Sequence, residues 1–287
     1  MNVMQQTASE QTRLWNGPAG RAWVEMQAVV DQMLKPFEDL LVEAVSPEFG
    51  GRVLDIGCGT GSTTVAVARR LGAKGRCVGV DISEAMIAAA RTRATACARS
   101  DQEMAPANFI CANAQTHTFE PASFDMIISR FGVMFFDDST QAFANLRRAA
   151  RDAAELRFVA WRSATENPFM TTAERAAAPL LSNLPARVPG APGQFAFADR
   201  SRIYTILKES GWAEVDVQPI DVTCKLPAEE LVRYVSRLGP VGVALQEADD
   251  ATRTQVIETV RVAFDPYVHG AEVRFTAACW MVSARAV

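Results

Sequence analysis

Val53-Leu54-Asp55-Ile56-Gly57-Cys58-Gly59-Thr60-Gly61 is the stretch that decides the fold, and Asp81 lies 20 residues beyond its last glycine. A short apolar run enters a glycine turn. The turn opens a helical pattern from Ser62 to about Leu71, and a second apolar run, Cys77 to Asp81, ends on a carboxylate. Strand, glycine turn, helix and acid-ended strand are the signature of an α/β nucleotide-binding unit, in which glycines let the backbone approach a ligand and the acid can hold a ribose diol.

The spacing says which nucleotide to expect. A dinucleotide fingerprint needs Gly-x-Gly-x-x-Gly. Here the glycines are 57, 59 and 61, and position 62 is Ser, one residue short of that pattern. Asp55 stands two residues before the first glycine, where a carboxylate repels a diphosphate seated on the turn and helix N-terminus. It suits a ligand with positive charge. S-adenosylmethionine carries a ribose diol, a sulfonium and an ammonium group, and no phosphate.

On these residues, together with Gly79-Val80-Asp81-Ile82-Ser83, Ala112-Asn113-Ala114-Gln115 and the run from Phe124-Asp125 to Phe135-Phe136, the chain resembles the class I S-adenosylmethionine-dependent methyltransferases. It is most similar to the small-molecule branch that includes the ubiquinone/menaquinone-biosynthesis C-methyltransferases. The resemblance is strong over about 50–162 and loose elsewhere. It implies a Rossmann-like seven-stranded α/β sheet of order 3-2-1-4-5-7-6 with the last strand antiparallel. It also implies an N-terminal segment folded over the cofactor. One departure is visible: the family turns into strand five through Pro-Gly-Gly, where this chain has Arg151-Asp152-Ala153-Ala154-Glu155.

Composition narrows the field. The 287 residues are 49% hydrophobic and 22% charged, as in a globular protein. A net charge of −4 argues against a nucleic-acid partner, because phosphate binding needs a basic face. Arg147, Arg148 and Arg151 read as a solvated helix face rather than a basic patch. Met1 to Arg13 has no apolar core, so no secretory signal is expected, and no apolar run reaches the ~18 residues of a membrane span. Six cysteines without Cys-x-x-Cys spacing and two histidines give no metal constellation and fit reduced thiols in a cytoplasmic protein.

Along the chain, 1–20 reads as loosely ordered and ends in Trp15-Asn16-Gly17-Pro18-Ala19-Gly20. Trp23, Met26, Val30, Met33, Phe37, Leu40, Leu41 and Ala44 recur at helical spacing, with a kink or a junction of two helices expected at Pro36. Strands are expected at 52–56, 76–81, 107–112, 124–129, 156–161, 213–223 and 275–285. Helices are expected at 62–71, 84–98, 139–150, 169–182, 200–210, 228–247 and 250–266. The expected organisation is one compact unit of three parts: a helical lid (1–46), the cofactor-binding core (47–163), and a portion (164–287) that completes the sheet and covers the acceptor. The C-terminal helices could support a homodimer.

The cofactor-binding residues expected are Trp23, Asp55, Gly57, Cys58, Gly59, Gly61, Asp81, Ile82, Met86, Asn113, Ala114, Ser129 and Arg130. Asp81 can accept from both ribose hydroxyls, with Ser83 as the cap of the following helix. Ile82 and Met86 would flank the adenine or simply pack in the core. Asn113 stands where relatives often have Asp facing the adenine amine, and its carbonyl can still accept. Asp55 either organises the loop or faces the ammonium. Arg130 either anchors an anionic group or forms a structural ion pair. Trp23, and to a lesser extent Trp15, would face the sulfonium. Cys58, with no basic neighbour, is no nucleophile.

Methyl transfer from a sulfonium is an in-line displacement whose rate can come largely from alignment, with a base needed only for a protonated acceptor. His117, Tyr204, Tyr234 and His269 are the candidates for such a base. The acceptor expected is a small, apolar or amphipathic molecule methylated at C, O or N, and the product cofactor is S-adenosylhomocysteine. Two rivals remain: a cofactor-binding protein without turnover, and a nicotinamide-dependent oxidoreductase.

Overall fold

The structure is a computed structural model and describes residues 3–46 and 50–287. Three helices come first, α1 (Val3–Asn16), α2 (Pro18–Glu25) and α3 (Gln27–Glu43). The alternating unit follows: β1 (Arg52–Ile56), α4 (Ser62–Leu71), β2 (Arg76–Asp81), α5 (Glu84–Ser100), β3 (Ala107–Cys111), β4 (Phe124–Arg130), α6 (Ser139–Ala149) and β5 (Ala150–Trp161). The remainder is α7 (Pro168–Ala177), α8 (Arg200–Glu209), β6 (Trp212–Pro227), α9 (Leu231–Arg237), α10 (Gly239–Ala244), α11 (Asp250–Ala263), the two-residue β7 (Val268–His269) and β8 (Glu272–Ala286).

The sheet runs β3-β2-β1-β4-β5-β8-β6, with β7 paired to β8 off that path. The pairings among β1 to β5 are parallel, while β8 is antiparallel to both β5 and β6. The expected order therefore holds, with β8 as the reversed strand between β5 and β6. The eighth strand is a small hairpin arm turned at Gly270, which sits at a φ of +64°. Where relatives have Pro-Gly-Gly, Ala153 takes a φ of +62°, and β4–β5 pairing slips between Phe124 and Met126. The turn geometry survives as a bulge without the glycines.

β1 and β4 lie at the centre of the sheet, and their apolar side chains are covered on both faces. One side is covered by α3, whose Val30, Met33, Leu34, Phe37 and Leu41 form a buried stripe. Phe37 meets the Phe131 ring at 5.0 Å. That packing carries α3 across the ends of β4 and β5.

Three expectations change. Residues 3–16 and 18–25 are helical rather than loosely ordered, and of the 1–20 expectation only residues 1 and 2 lie outside the described residues. α3 runs through Pro36 without ending, and the two helices meet instead at Met26. Burial of the stripe on both sides of Pro36 outweighs the lost backbone bond. The expected helix 228–247 is two short helices, separated at Leu238, and Gly239, the first residue of the second, adopts a φ of +72°.

Candidate functional site

A cavity of about 1350 Å³ opens at the carboxyl ends of β1, β2, β3 and β4. This is where open α/β sheets bind ligands. The glycine loop forms one wall. Gly57 and Cys58 donate their N–H groups to the Val80 carbonyl at 2.8 and 3.1 Å, which ties the loop to β2. Gly59 donates to Asp81 Oδ2 at 2.8 Å. Three consecutive amides are thus turned inward and cannot cradle a diphosphate.

Asp81 is held from both sides, since Ser83 N–H donates to its Oδ1 at 2.9 Å. Each oxygen keeps a lone pair for a further donor, the arrangement a ribose diol needs. Burial pushes its carboxyl up, and the backbone bonds from Ser83, Gly59 and Ile82 pull it back. Ser83 caps α5 by accepting from Met86 N–H.

Asp55 is 1% exposed and accepts from Thr64 Oγ at 2.6 Å. It secures the first turn of α4. Burial raises its carboxyl to about 7, against the Thr64 hydrogen bond and the Arg130 charge, which lower it. Asp55 therefore repels anions less than a freely ionised carboxylate would. The inward amides supply the stronger objection to a diphosphate.

Arg130 donates to Ser62 Oγ at 2.8 Å and lies 3.7 Å from Asp31, while Asp31 pairs with Arg93 at 2.6 Å. Arg130 belongs to an ion-pair network between α3 and α5 and also borders the cavity. Thr63 Oγ, in the first turn of α4, is buried without a partner among the described residues, and Thr63 lines the cavity. An unpartnered hydroxyl beside Arg130 and a helix N-terminus fits a carboxylate such as that of the methionine tail. Together with the lone pairs left on Asp81, these residues fit S-adenosylmethionine.

Of the residues expected from the sequence, Trp23, Asp55, Gly57, Cys58, Gly59, Asp81, Ile82, Met86, Asn113, Ala114 and Arg130 all line the cavity. Gly61 and Ser129 do not. A Cβ on Gly61 would sit 2.9 Å from Ala90 Cβ and 3.0 Å from the Phe109 ring, so this glycine serves helix–sheet packing. Ser129 Oγ donates to the Ile56 carbonyl at 2.7 Å and accepts from Gly132 and Val133 N–H, shaping the crossing of β1 and β4 from beneath. Burial pushes the Cys58 thiol well up, consistent with an inert residue. Asn113 Oδ1 accepts from Gln115 N–H, so its carbonyl is already engaged in shaping the loop.

Only Tyr234 of the four base candidates borders the cavity. His117 packs edge-on against Phe119 at 4.7 Å, Tyr204 is exposed on α8 beneath Lys208, and His269 sits on the β7 hairpin. The loop after β3, the surface of α8 and the β7 hairpin hold these three away from the cavity, which no spacing in the sequence reveals.

The structure adds Asn16, which sequence reasoning missed, and shows how the aromatics around it pack. Asn16 donates to the Ile82 carbonyl at 3.0 Å and accepts from Glu84 N–H at 2.9 Å, clipping the end of α1 over the Asp81 turn. Trp15 meets Phe135 edge-on at 5.1 Å and Trp23 at 6.1 Å. Phe131 holds a φ of +64° and stacks on Trp161 at 4.8 Å. That strained conformation turns the chain so that Gly132 packs on Gly57, where a Cβ would lie 2.6 Å from Gly132 Cα. The Trp15-Asn16-Gly17-Pro18 run was the available signal for the first of these, since a turn between two aromatics is odd in a loose tail.

Residues 53–153 match the family model described as a methyltransferase domain. Aklanonic acid methyltransferase DauC from Streptomyces sp. (strain C5) is 33% identical over 113 residues, 39% of this chain and 49% of that protein. The ubiquinone/menaquinone biosynthesis C-methyltransferase UbiE from Hydrogenovibrio crunogenus is 28% identical over 117 residues, 41% of this chain and 44% of that protein. The chain thus spans about half the length of these curated relatives. Among solved structures, YcgJ from Bacillus subtilis superposes with a TM-score of 0.53 at 17% identity, covering 86% of this chain and 97% of its own. That likeness is one of fold. Together, fold, site and family match mark residues 53–153 as similar to methyltransferase domains. The chain's sequence relatives are small-molecule methyltransferases.

Proposed function

We propose that this protein transfers the methyl group of S-adenosylmethionine to a small, apolar or amphipathic acceptor. The observation that carries this is the cavity itself. Beyond the cofactor wall it continues between β5, α7, α9 and α10, past Trp161, Phe169, Met170, Tyr234, Val241 and Phe264. Single-ligand pockets run to about 300–1,000 Å³. A space of about 1350 Å³ accommodates a cofactor and an acceptor together.

In this reading Asp81 binds the ribose, and the 57–61 loop packs against the methionine half. Arg130 and Thr63 receive its carboxylate, and Asn113, Ile82 and Met86 surround the adenine. When bound, the cofactor supplies an electrophilic methyl on a cationic sulfur. The work left to the protein is alignment and exclusion of water. Residues 1–46 form the lid over the cofactor, 47–163 the core, and 164–287 the acceptor cover. The two covers meet where Arg233 donates to the Glu25 carbonyl at 3.2 Å. Among the described residues no helix is long and apolar enough to cross a membrane, and no cluster could hold a metal ion.

The test has two stages. Calorimetry with S-adenosylhomocysteine should show binding that Asp81→Ala reduces at least a hundredfold; micromolar affinity retained in the variant refutes the ribose assignment. Transfer of radiolabelled methyl to a panel of phenols, quinols and amines should then detect turnover. Tight cofactor binding with no transfer to any member would favour a binding protein without turnover.

A further inference from the structure

Asp137 follows Phe135-Phe136 on the segment leaving β4 and directly precedes Asp138, the cap of α6. It borders the large cavity and also a recess of about 590 Å³ beside it. Its Oδ1 is shut away from solvent, and no group among the described residues donates to it. Several polar groups around that recess are committed elsewhere. Asp138 accepts from Gln141 N–H, and Asp199 accepts from Ser201 N–H. Gln115 turns its amide to Gln141 and its carbonyl to Asp138 N–H. Arg202 donates to the Gly190 carbonyl at 3.0 Å. Burial, and then the charge of Glu10 on α1, push the Asp137 carboxyl up. A buried acceptor left unmade destabilises a fold, and native structures keep such groups mainly where a ligand or catalysis uses them.

We infer that Asp137 recognises the acceptor, its carboxylate receiving a hydrogen bond from an O–H or N–H group on a ring-bearing molecule. This rests on the methyltransferase reading above. Ring character follows from the aromatic surroundings, with Phe135 and Phe136 beside the carboxylate and Trp161 and Phe169 deeper in.

The test uses the full-length protein saturated with S-adenosylhomocysteine, titrated with 1-naphthol and with 1-methoxynaphthalene, which share rings and differ in the hydroxyl donor. The wild type should prefer the naphthol at least tenfold. Asp137→Leu should bring the two within twofold. Asp137→Asn, whose carbonyl still accepts, should keep about a threefold preference, and it serves as the shape-conserving control if the leucine variant folds poorly. Affinity for S-adenosylhomocysteine should stay within twofold in both variants, and the unliganded leucine variant should melt at or above the wild-type temperature.

A naphthol preference that survives in the leucine variant overturns the assignment, as does a wild type that shows none. A tenfold loss of S-adenosylhomocysteine affinity in both variants would give the carboxylate to the cofactor. A well-folded leucine variant with a lowered melting temperature would give it to the fold. Failure of the wild type to bind S-adenosylhomocysteine at all would instead sink the methyltransferase reading.

Discussion

Asp55 shows how one buried carboxylate can couple cofactor binding to pH. Its free-state value of about 7 lies well above an ordinary aspartate because burial disfavours its charge. A cationic ligand nearby stabilises the ionised form and lowers that value. Binding therefore releases a proton, and affinity for S-adenosylmethionine should fall as pH drops below about 7, then level off once the bound form is also protonated. Calorimetry at pH 5.5, 6.5 and 8 should show this slope in the wild type and little of it in Asp55→Asn. The stability sign is opposite: a raised carboxylate contributes stability that is present at low pH and lost as pH rises through about 7. Unliganded wild type should lose more stability between pH 5 and 8 than the Asn variant, as read from urea melts. Asp55 was legible in the sequence as an oddity of charge. Its hydrogen bond to Thr64, nine residues on, depended on a helix turning that hydroxyl back beneath the strand.

At the scale of elements, the crossing of β1 with the end of β4 is the tightest point of the site. A Cβ on Gly132 would lie 2.5 Å from the Ile56 carbonyl and 2.7 Å from Gly57 Cα. Gly132 has an ordinary helical backbone, φ −77°, so the penalty of Gly132→Ala is steric rather than conformational. Backbone on both sides cannot yield like a side chain, so the variant should lose about 1–3 kcal/mol or more in urea denaturation. The first helix is attached differently. α1 is clipped to the α5 start by the Asn16 side chain, and Trp15 leans on Phe135. Asn16→Ala should leave core stability within about 1 kcal/mol, since one partly exposed side chain is removed. It should speed S-adenosylhomocysteine release several-fold in stopped-flow experiments; an unchanged rate would mean that α1 does not gate the cofactor. The helices of the alternating core were legible to within a residue or two because apolar periodicity and caps agree there. The first twenty residues were not, because their helical order depends on what they lie against.

At the scale of the molecule, the cavity belongs to no single segment. Its walls come from α2 and α3, four strand ends, the loop between α7 and α8, and α9 and α10. Ligand that binds only the folded state stabilises it by mass action, about 2.7 kcal/mol at a hundredfold excess over Kd. S-adenosylhomocysteine at that excess should raise the melting temperature by several degrees in scanning calorimetry, with a shift that grows with ligand concentration. NAD under the same conditions should produce none, because the amides of Gly57, Cys58 and Gly59 are already engaged within the protein.

Sequence alone determined the parallel core and the glycine-to-Asp81 wall, because each rests on local patterning and turn chemistry within some 30 residues, while the order of the strands came only with the family resemblance. It also located eleven of the residues that border the cavity, since motifs at strand ends must converge wherever a parallel sheet forms. Only the tertiary structure decided which polar groups were left with something still to bind. Thr63 and Asp137 look ordinary in the chain, and they become informative only when packing buries a polar atom of each with no partner among the described residues. Hydrogen-bond satisfaction is a property of three-dimensional surroundings, so no reading of spacing could have found them.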